Sequence, residues 1–448
     1  MDSVEKSFNP NKRLKEEFVS NLTGSSMLEI VALSTIVPAL MLLPHTLRLP
    51  SLAVKCVGEW KSWISYTVTV VSDFCLVVVP ILLFLTILSG WNYEAAVLLL
   101  VSPLLSFKRS KQERPNSLRQ SISSYRVAMM VVTCLCILAV DFNIFPRRYA
   151  KTETYGTSLM DLGVGSFVLA NALVSREARN MATSNWKTAI TSTSPLIILG
   201  IGRLVSTTGI NYQVHVGEYG VHWNFFFTLA AVAILTSFVK IPPKYCGILG
   251  SVILFGYQIW LNHGLNSYLL SDERGDDIIS QNKEGIFSVV GYWGMYLVGV
   301  QLGGYLFFGY QNSPSRSISW TRNRVYFLSI FFWILTVVLD KHVERVSRRT
   351  CNLPYVTAVM AQNLQVLALM MLSDFIPGYT TSAVVEAINH NLLATFLLAN
   401  LLTGLVNMSM DTLDASSLMS LVVLVGYAFV LCISIGLAHF NGIRLKFW

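Results

Sequence analysis

One segment of this sequence concentrates groups that could do acid–base chemistry beside a membrane. Asp141 stands near the end of a long apolar run, and Arg147, Arg148 and Lys151 follow it within ten residues. An ionised carboxylate at the rim of a bilayer is costly unless it has a cation beside it or a proton to transfer. Such a carboxylate can act as a general base toward a hydroxyl while cations stabilise a phosphate or a developing oxyanion. The alternative is structural: the cations extend to the interface and Asp141 is their partner.

The residues that follow would position this segment. Gly156 permits a tight turn, and the spacing of Ser158 and Asp161 fits a capping box that opens the next helix. On this pattern Asp161 is a helix cap rather than a catalyst. Small residues follow Asp161, and the helix that begins here is therefore narrow enough for close packing or for a substrate chain.

The composition indicates that these residues belong to a membrane protein. The chain has 448 residues, of which 53% are hydrophobic and only 13% are charged, and its mean hydropathy is +0.54. A soluble protein of this length would need a larger polar shell, so this class is excluded. The net charge of +8 comes from basic clusters between apolar runs, as in membrane proteins, and does not indicate a nucleic-acid partner.

Apolar runs of about 17 to 25 residues predict an all-α polytopic membrane protein with about 13 transmembrane helices. We expect residues 1–448 to form a single multi-pass membrane domain. The predicted spans are 26–46, 66–88, 93–107, 124–145, 159–175, 188–206, 222–239, 245–262, 286–309, 325–340, 355–373, 389–409 and 416–438.

The distribution of basic residues predicts how these spans are oriented. With thirteen spans, 19 Lys and Arg residues fall on the C-terminal side of the membrane and 13 on the opposite side. The positive-inside rule then makes the C-terminus cytosolic and the tail at 1–25 lumenal. The basic loop at 108–123 becomes cytosolic, and the segments at 147–151 and 272–285 become lumenal.

The cysteines do not indicate a metal or a disulfide framework. The seven cysteines are odd in number and lie mostly in apolar runs, without a C-x-x-C pair or a histidine at ligand spacing. We therefore interpret them as core residues and expect no metal and no cofactor.

Three other polar residues inside predicted spans are candidates for the site. Arg203 could bind phosphate or pair with a buried acid. Asn400 belongs to an asparagine stripe in the span 389–409, which could line a polar cavity or form interhelical hydrogen bonds. His390 in the same stripe is a rival to Asp141 as catalytic base, although a histidine at a helix start is more often structural.

The segment VDFNIFPRRYAKTETYGTSLMDLGVGSFV, which begins at Val140, closely resembles the signature of a known family. This is the Gwt1 and PIG-W family, the inositol acyltransferases of glycosylphosphatidylinositol (GPI) biosynthesis in the endoplasmic reticulum. The resemblance extends to KEEFVSNLTGSS from Lys15 and to NHNLLATFLLANLLTGLVN from Asn389. It therefore covers nearly the whole chain.

The resemblance implies the transfer of a long acyl chain, palmitoyl from palmitoyl-CoA, to the inositol 2-hydroxyl of glucosaminyl-phosphatidylinositol. It also implies that Asp141 and Lys151 are the catalytic pair. The chemistry agrees, with Asp141 as general base, Lys151 tuning that carboxylate or stabilising the oxyanion, and Arg147 or Arg148 near the lipid phosphate. We expect direct transfer, because no Ser–His or Cys–His pair is placed to form an acyl-enzyme.

Two other classes of function compete with an enzyme. Composition alone also fits a multi-pass lipid or solute transporter, and a non-catalytic scaffold is a third interpretation. The pair Gly299-x-x-x-Gly303 predicts close helix packing, either within one subunit or across a homodimer.

Overall fold

The computed structural model describes residues 17–46, 61–105, 117–181, 186–209, 216–239, 241–309, 317–376 and 379–445. These ranges are helices joined by short loops, and their only β-type pairing is an isolated bridge around Gly24 and Thr157. The all-α membrane fold is therefore confirmed.

The helices of the described ranges are numbered here in chain order. They are α1 (Met27–Thr46), α2 (Lys61–Asp73), α3 (Val79–Leu85), α4 (Asn92–Leu105), α5 (Ser117–Ala139), α6 (Leu162–Leu173), α7 (Trp186–Gly209), α8 (Val216–Tyr219), α9 (Phe225–Phe238), α10 (Pro243–Trp260), α11 (Asn266–Leu270), α12 (Ile278–Gln281), α13 (Lys283–Gly303), α14 (Ile318–His342), α15 (Leu353–Met370), α16 (Ala383–His390), α17 (Leu392–Ser409) and α18 (Ser417–Phe440). Short 3-10 or π segments are Phe74–Val78, Ser89–Trp91, Arg147–Tyr149, Leu261–Leu265, Gly304–Phe308 and Met371–Phe375.

The chain divides into two compact units. Unit one contains residues 150–363 together with the described part of 1–25, and unit two contains 26–149 and the described part of 364–447. Helices α6–α14 belong to unit one, and α1–α5 with α16–α18 belong to unit two. Helix α15 begins in unit one and ends in unit two. The single domain predicted from the sequence is thus built as two units.

In the described ranges, nine helices are long and apolar enough to cross a membrane, and three shorter apolar helices accompany them. Each of the thirteen predicted spans overlaps a helix of the structure. The exact number of membrane crossings stays a prediction, because length and composition alone define these candidates.

Two predicted spans differ from the observed helices at functional positions. The fourth, 124–145, ends as a helix at Ala139, so Asp141 lies in the turn beyond it. The twelfth, 389–409, is broken at Asn391, where φ is −131° and ψ is 41°. His390 therefore ends α16 and Asn400 lies in α17, so the asparagine stripe does not follow one continuous helix.

Parts of two predicted segments lie outside the described residues. These are 1–16 of the N-terminal tail and 106–116, which includes most of the basic loop at 108–123. The last seven residues of that loop, 117–123, belong to α5 instead. The assignment of 108–123 as a cytosolic loop stays a prediction.

Helix α13 packs against α6 at the predicted glycine pair. A Cβ at Gly299 would lie 2.7 Å from Cβ of Ala172, and one at Gly303 would collide with the carbonyl of Leu173. Of the two alternatives for this motif, the structure shows packing within the subunit. The homodimer stays a prediction without support from this pair.

The cysteines behave largely as core residues. Of the six in the described ranges, five are buried and Cys75 is exposed. Cys56 lies outside the described residues.

Candidate functional site

The turn that carries Asp141 is closed by Arg147. The Nη2 atom of Arg147 donates to the carbonyl oxygens of Val140, Phe142 and Phe145, at 2.9, 3.0 and 3.0 Å. Burial lowers the pKa of Arg147 to about 10, although the charge of Asp141 acts in the opposite direction. Carbonyl groups at a helix C-terminus need such donors. Arg147 therefore shapes the turn that follows α5.

Asp141 itself is bound by the end of α17. Nδ2 of Asn407 donates to Oδ2 of the Asp141 carboxylate at 2.8 Å. A second bond joins the same two regions, because Nδ2 of Asn143 donates to the carbonyl of Leu413 at 2.6 Å. These bonds hold a half-buried carboxylate at a fixed position in unit two. Asn407 belongs to the asparagine stripe of the predicted span 389–409, and its pairing with Asp141 was not predicted from the sequence.

Arg148 belongs to a different set of contacts in unit two. Its Nε lies 2.9 Å from Oε1 of the buried Glu29, and the hydroxyl of Tyr149 donates to the same oxygen at 2.6 Å. Burial alone would lower the pKa of Arg148, but its bond and attraction to Glu29 raise it. The side chain remains 42% exposed. Glu29 is thus a buried carboxylate that is hydrogen-bonded to Arg148 and Tyr149.

Lys151 lies in a network of charges in unit one. Its Nζ contacts both oxygens of Glu218, at 2.7 and 2.9 Å. Arg348 joins this carboxylate to a second one, because Nη1 lies 3.1 Å from Glu218 and Nε lies 2.9 Å from Asp161. We call Lys151, Asp161, Glu218 and Arg348 the Lys151 cluster. The Arg348–Asp161 pair is nearly inaccessible to solvent, whereas the Lys151 side chain keeps 39% exposure.

Asp161 connects the cluster to the loop after Lys151. Its carboxylate accepts hydrogen bonds from the amide and the hydroxyl of Thr152, and the Ser158 hydroxyl accepts from the Asp161 amide. Only the serine half of the predicted capping box is therefore formed by these bonds. Asp161 anchors a loop and an arginine rather than serving as a simple helix cap.

The charges around Glu218 favour its ionised form. Burial would raise the pKa of Glu218, but the attraction of Lys151 and Arg348 outweighs it and holds the pKa at about 2. Burial lowers the pKa of Lys151, Glu218 opposes this shift, and Arg348 and Arg203 add to it by repulsion. The exposed Arg203 thus acts electrostatically on the Lys151 cluster. This agrees with the two interpretations of Arg203, an anion site or a partner of a buried acid.

Two glycines bring the N-terminal segment against the loop that follows Lys151. Gly24 has φ +83° and Gly156 has φ +127°, and a Cβ at either would collide with a backbone carbonyl, that of Thr157 or that of Thr23. Bonds from the Ser25 amide to the Thr157 carbonyl and from the Glu153 amide to the Leu22 carbonyl complete the contact. Only glycine fits at such an approach. The segments around Gly24 and Gly156, which are far apart in sequence, thus form one structural element in unit one.

The structure divides the predicted site residues between the two units. Asp141, Arg147, Arg148 and Asn400 belong to unit two, and Lys151 and Arg203 belong to unit one. Asn400 is exposed, and its Nδ2 donates to the carbonyl of Phe396 in its own helix. The catalytic and binding roles of these residues stay predictions.

His390 lies in a separate cluster of unit two. Its ring packs against His439 with the centroids 4.8 Å apart and the planes at 78°. The described contacts of His390 are therefore with the end of α18.

Sequence reasoning missed Glu218 and Arg348. Glu218 is a lone carboxylate in a polar loop, and Arg348 was counted only among the cations that orient the chain. A buried arginine needs an acid, and two adjacent arginines, Arg348 and Arg349, beside a predicted span were the available signal. No spacing in the sequence identifies which acid is the partner.

Known proteins similar to this chain cover most of its length. A family model described as GWT1 matches residues 11–438. The chain is 59% identical over 397 residues to an uncharacterised protein of Arabidopsis thaliana, which covers 87% of this chain and 90% of that protein. It is 35% identical to the phosphatidylinositol-glycan biosynthesis class W protein of Dictyostelium discoideum, over 97% of this chain and 98% of that protein.

A fungal relative shows the same extent of similarity. The GPI-anchored wall transfer protein 1 of Aspergillus oryzae is 38% identical over 486 residues, which cover 93% of this chain and 95% of that protein. Both the matched family model and these full-length relatives support the resemblance based on the segment at 140–168. The chain belongs to the GWT1 family.

Proposed function

We propose that this protein is a membrane-bound transferase of GPI-anchor biosynthesis that acts in the endoplasmic reticulum. It transfers a long acyl chain from an acyl-CoA, palmitoyl-CoA in the first instance, to the inositol 2-hydroxyl of glucosaminyl-phosphatidylinositol. Membership of the GWT1 family over residues 11–438 is the observation that carries this proposal. The names of the relatives support the pathway, and the acceptor hydroxyl and the donor are our inference.

We assign the base role to Asp141. It takes the proton of the inositol hydroxyl, whose oxygen attacks the thioester carbonyl. The carbon–sulfur bond then breaks, and the same proton passes to the CoA sulfur, which leaves as the thiol. The bond from Asn407 supports this role, because it fixes the position of the carboxylate.

We assign the electrophilic role to Lys151. An ammonium beside the thioester carbonyl stabilises the negative charge that develops on the carbonyl oxygen. Glu218 supports this role by holding the ammonium in place, and 39% exposure of the side chain leaves it accessible to a substrate. Arg203 adds positive charge in the same unit, which suits the phosphates of either substrate.

Of the two arginines, we assign Arg148 to the lipid phosphate. Arg147 is half-buried and donates to three backbone carbonyls. Arg148 is bound by Glu29, Ser89 and Tyr149, but its side chain remains 42% exposed. Asn400, exposed on α17, stays a candidate for contact with substrate.

We further propose direct transfer without an acyl-enzyme. Burial raises the pKa of the Cys351 thiol far above its ordinary value, which leaves this cysteine a poor nucleophile. Isolation of a covalent palmitoyl-enzyme would refute direct transfer.

An acyl-transfer assay in microsomes tests the proposal. Membranes that contain the wild-type protein should convert glucosaminyl-phosphatidylinositol to its acylated form when palmitoyl-CoA is added. The Asp141→Asn protein should lose this activity by a factor of at least about 10², while Asp272→Asn, a change in an exposed loop, should not.

Two results would overturn the assignment. Normal transfer by Asp141→Asn at wild-type abundance would exclude Asp141 as the base. Movement of the lipid between leaflets without acylation would favour the transporter alternative instead.

A further inference from the structure

Helices α16 and α18 bring two imidazoles and a carboxylate together in unit two. Glu386 and His390 are four residues apart and therefore lie on one face of α16, and His439 is in the last turn of α18. One ligand atom from each residue lies within 4.8 Å of the other two. None of the three takes part in the reaction proposed above.

Tyr66 orients one of these imidazoles. Its hydroxyl is hydrogen-bonded to Nδ1 of His439 at 2.9 Å, and its ring lies 6.0 Å from the His439 ring. A metal-binding histidine characteristically uses its second nitrogen for a hydrogen bond of this kind, which fixes the ring. Because Nδ1 is engaged by Tyr66, we assign Nε2 of His439 as the nitrogen that binds a metal.

The chemistry of the three groups selects the metal. Two imidazoles and one carboxylate with an open fourth position form a common ligand set for zinc. Metal–nitrogen distances of about 2.0 to 2.1 Å place tetrahedral ligand atoms roughly 3.3 Å from each other. The ligand atoms of the three residues lie within 4.8 Å of one another. Rotation of the exposed Glu386 side chain and of the half-buried histidine side chains can shorten these separations to the distance that a bound metal requires.

We propose that Glu386, His390 and His439 bind a divalent zinc-class metal ion with water at the fourth position. The ion joins the C-terminal end of α16 to that of α18. This site is independent of Asp141 and of the Lys151 cluster, and it revises the expectation from the sequence that the chain holds no metal.

Metal titration of the full-length protein tests this proposal. The protein is purified in detergent through a histidine-free affinity tag, stripped with a chelator and titrated with Co²⁺ and then Zn²⁺. We expect one Co²⁺ per chain with the visible absorption of a four- or five-coordinate ion, displaced by one equivalent of Zn²⁺. His390→Ala, His439→Ala and Glu386→Gln should each weaken Co²⁺ binding at least tenfold.

Two histidines of unit one provide matched controls, since His263→Ala and His342→Ala should bind Co²⁺ as the wild type does. Absence of stoichiometric Co²⁺ binding by the wild-type protein would overturn the proposal even if a variant failed to fold. Wild-type affinity in the variants of α16 and α18 would overturn it as well. A rise in the wild-type Tm with added Zn²⁺ that is lost in His439→Ala would support it.

Discussion

Glu218 binds two cations, although nothing in the sequence around it identifies it as a functional residue. It accepts from Lys151 and from Arg348, and Arg203 adds a third positive charge nearby. Its pKa of about 2 lies below the ordinary value of 4.5, so it stays ionised throughout the pH range in which an enzyme of this kind can be assayed. We therefore interpret Glu218 as the residue that positions Lys151.

Replacing Glu218 by glutamine should change how transfer depends on pH. In the wild type, Glu218 opposes the loss of the Lys151 proton, and burial with Arg348 and Arg203 favours that loss. Without the carboxylate the pKa of Lys151 falls further. The basic limb of the pH–rate profile should then move to lower pH, and kcat at neutral pH should drop on the order of ten- to hundredfold.

Glu218→Asp should partly restore the profile, and Glu273→Gln, in an exposed loop, should leave it unchanged. A Glu218→Gln protein with reduced abundance but an unshifted profile would mean that this residue only stabilises the fold.

The same carboxylate links folding to pH. The folded-state pKa of Glu218 is depressed, so its contribution to stability is complete above about pH 4.5 and is lost as pH falls toward 2.

At the level of single residues, the sequence identifies charged side chains that occur close together at the end of an apolar stretch. Asp141 and Lys151 stand out because charge is rare around them. Asn407 and Glu218 do not stand out, because their roles depend on side-chain geometry between segments far apart in sequence. Such pairing follows from the packing of helices, which a single sequence does not display.

The contact between the N-terminal segment and the loop after Lys151 is sensitive to an added methyl group. Gly24→Ala and Gly156→Ala should each destabilise unit one, because each adds a Cβ against a carbonyl and forces a left-handed backbone on alanine. We expect a cost of roughly 1 to 3 kcal/mol for the backbone conformation alone. Thermal unfolding of the purified protein should show a Tm lowered by several degrees.

Gly256→Ala is the matched control in the same unit. This glycine lies within α10, and a Cβ there would meet nothing within 4 Å. An unchanged Tm in Gly24→Ala and Gly156→Ala would contradict the tight approach.

Hydropathy predicts that helices exist more reliably than it predicts where they end. The predicted span extends from 124 to 145, yet α5 ends at Ala139, and Arg147 donates to carbonyls of the turn that follows. The break at Asn391 lies within a second predicted span, 389–409, and separates α16 from α17. Helix ends are set by capping and tertiary contacts rather than by transfer free energy.

Contacts within each unit constrain the topology of the whole chain. In unit one, loops that the alternation of spans assigns to a single side of the membrane are joined to each other by hydrogen bonds or ion pairs. The joined pairs are Leu22 with Glu153, Lys151 with Glu218, Asp161 with Arg348, and Glu284 with Arg349. This agreement supports the order of crossings and is independent of which side is lumenal.

A glycosylation tag tests which side of the membrane each loop faces. An acceptor sequon inserted after Asp276, in an exposed loop, should be glycosylated in microsomes, because the predicted orientation makes this loop lumenal. A sequon inserted within 108–116 should remain unmodified. Glycan on the second tag and none on the first would reverse the orientation of the whole chain. Activity should be measured alongside, so that only correctly folded insertions are compared.

The discontinuity of unit two has a consequence during synthesis. Residues 26–149 leave the ribosome early, yet the rest of unit two, which completes their packing, follows only from residue 364 onward. At about 5 to 20 residues per second, translation of the intervening segment takes roughly ten to forty seconds. Throughout that interval the early helices remain incompletely packed in the bilayer, while most of unit one can already assemble. A premature stop codon in the last third of the message should therefore leave the first helices exposed to quality-control proteases.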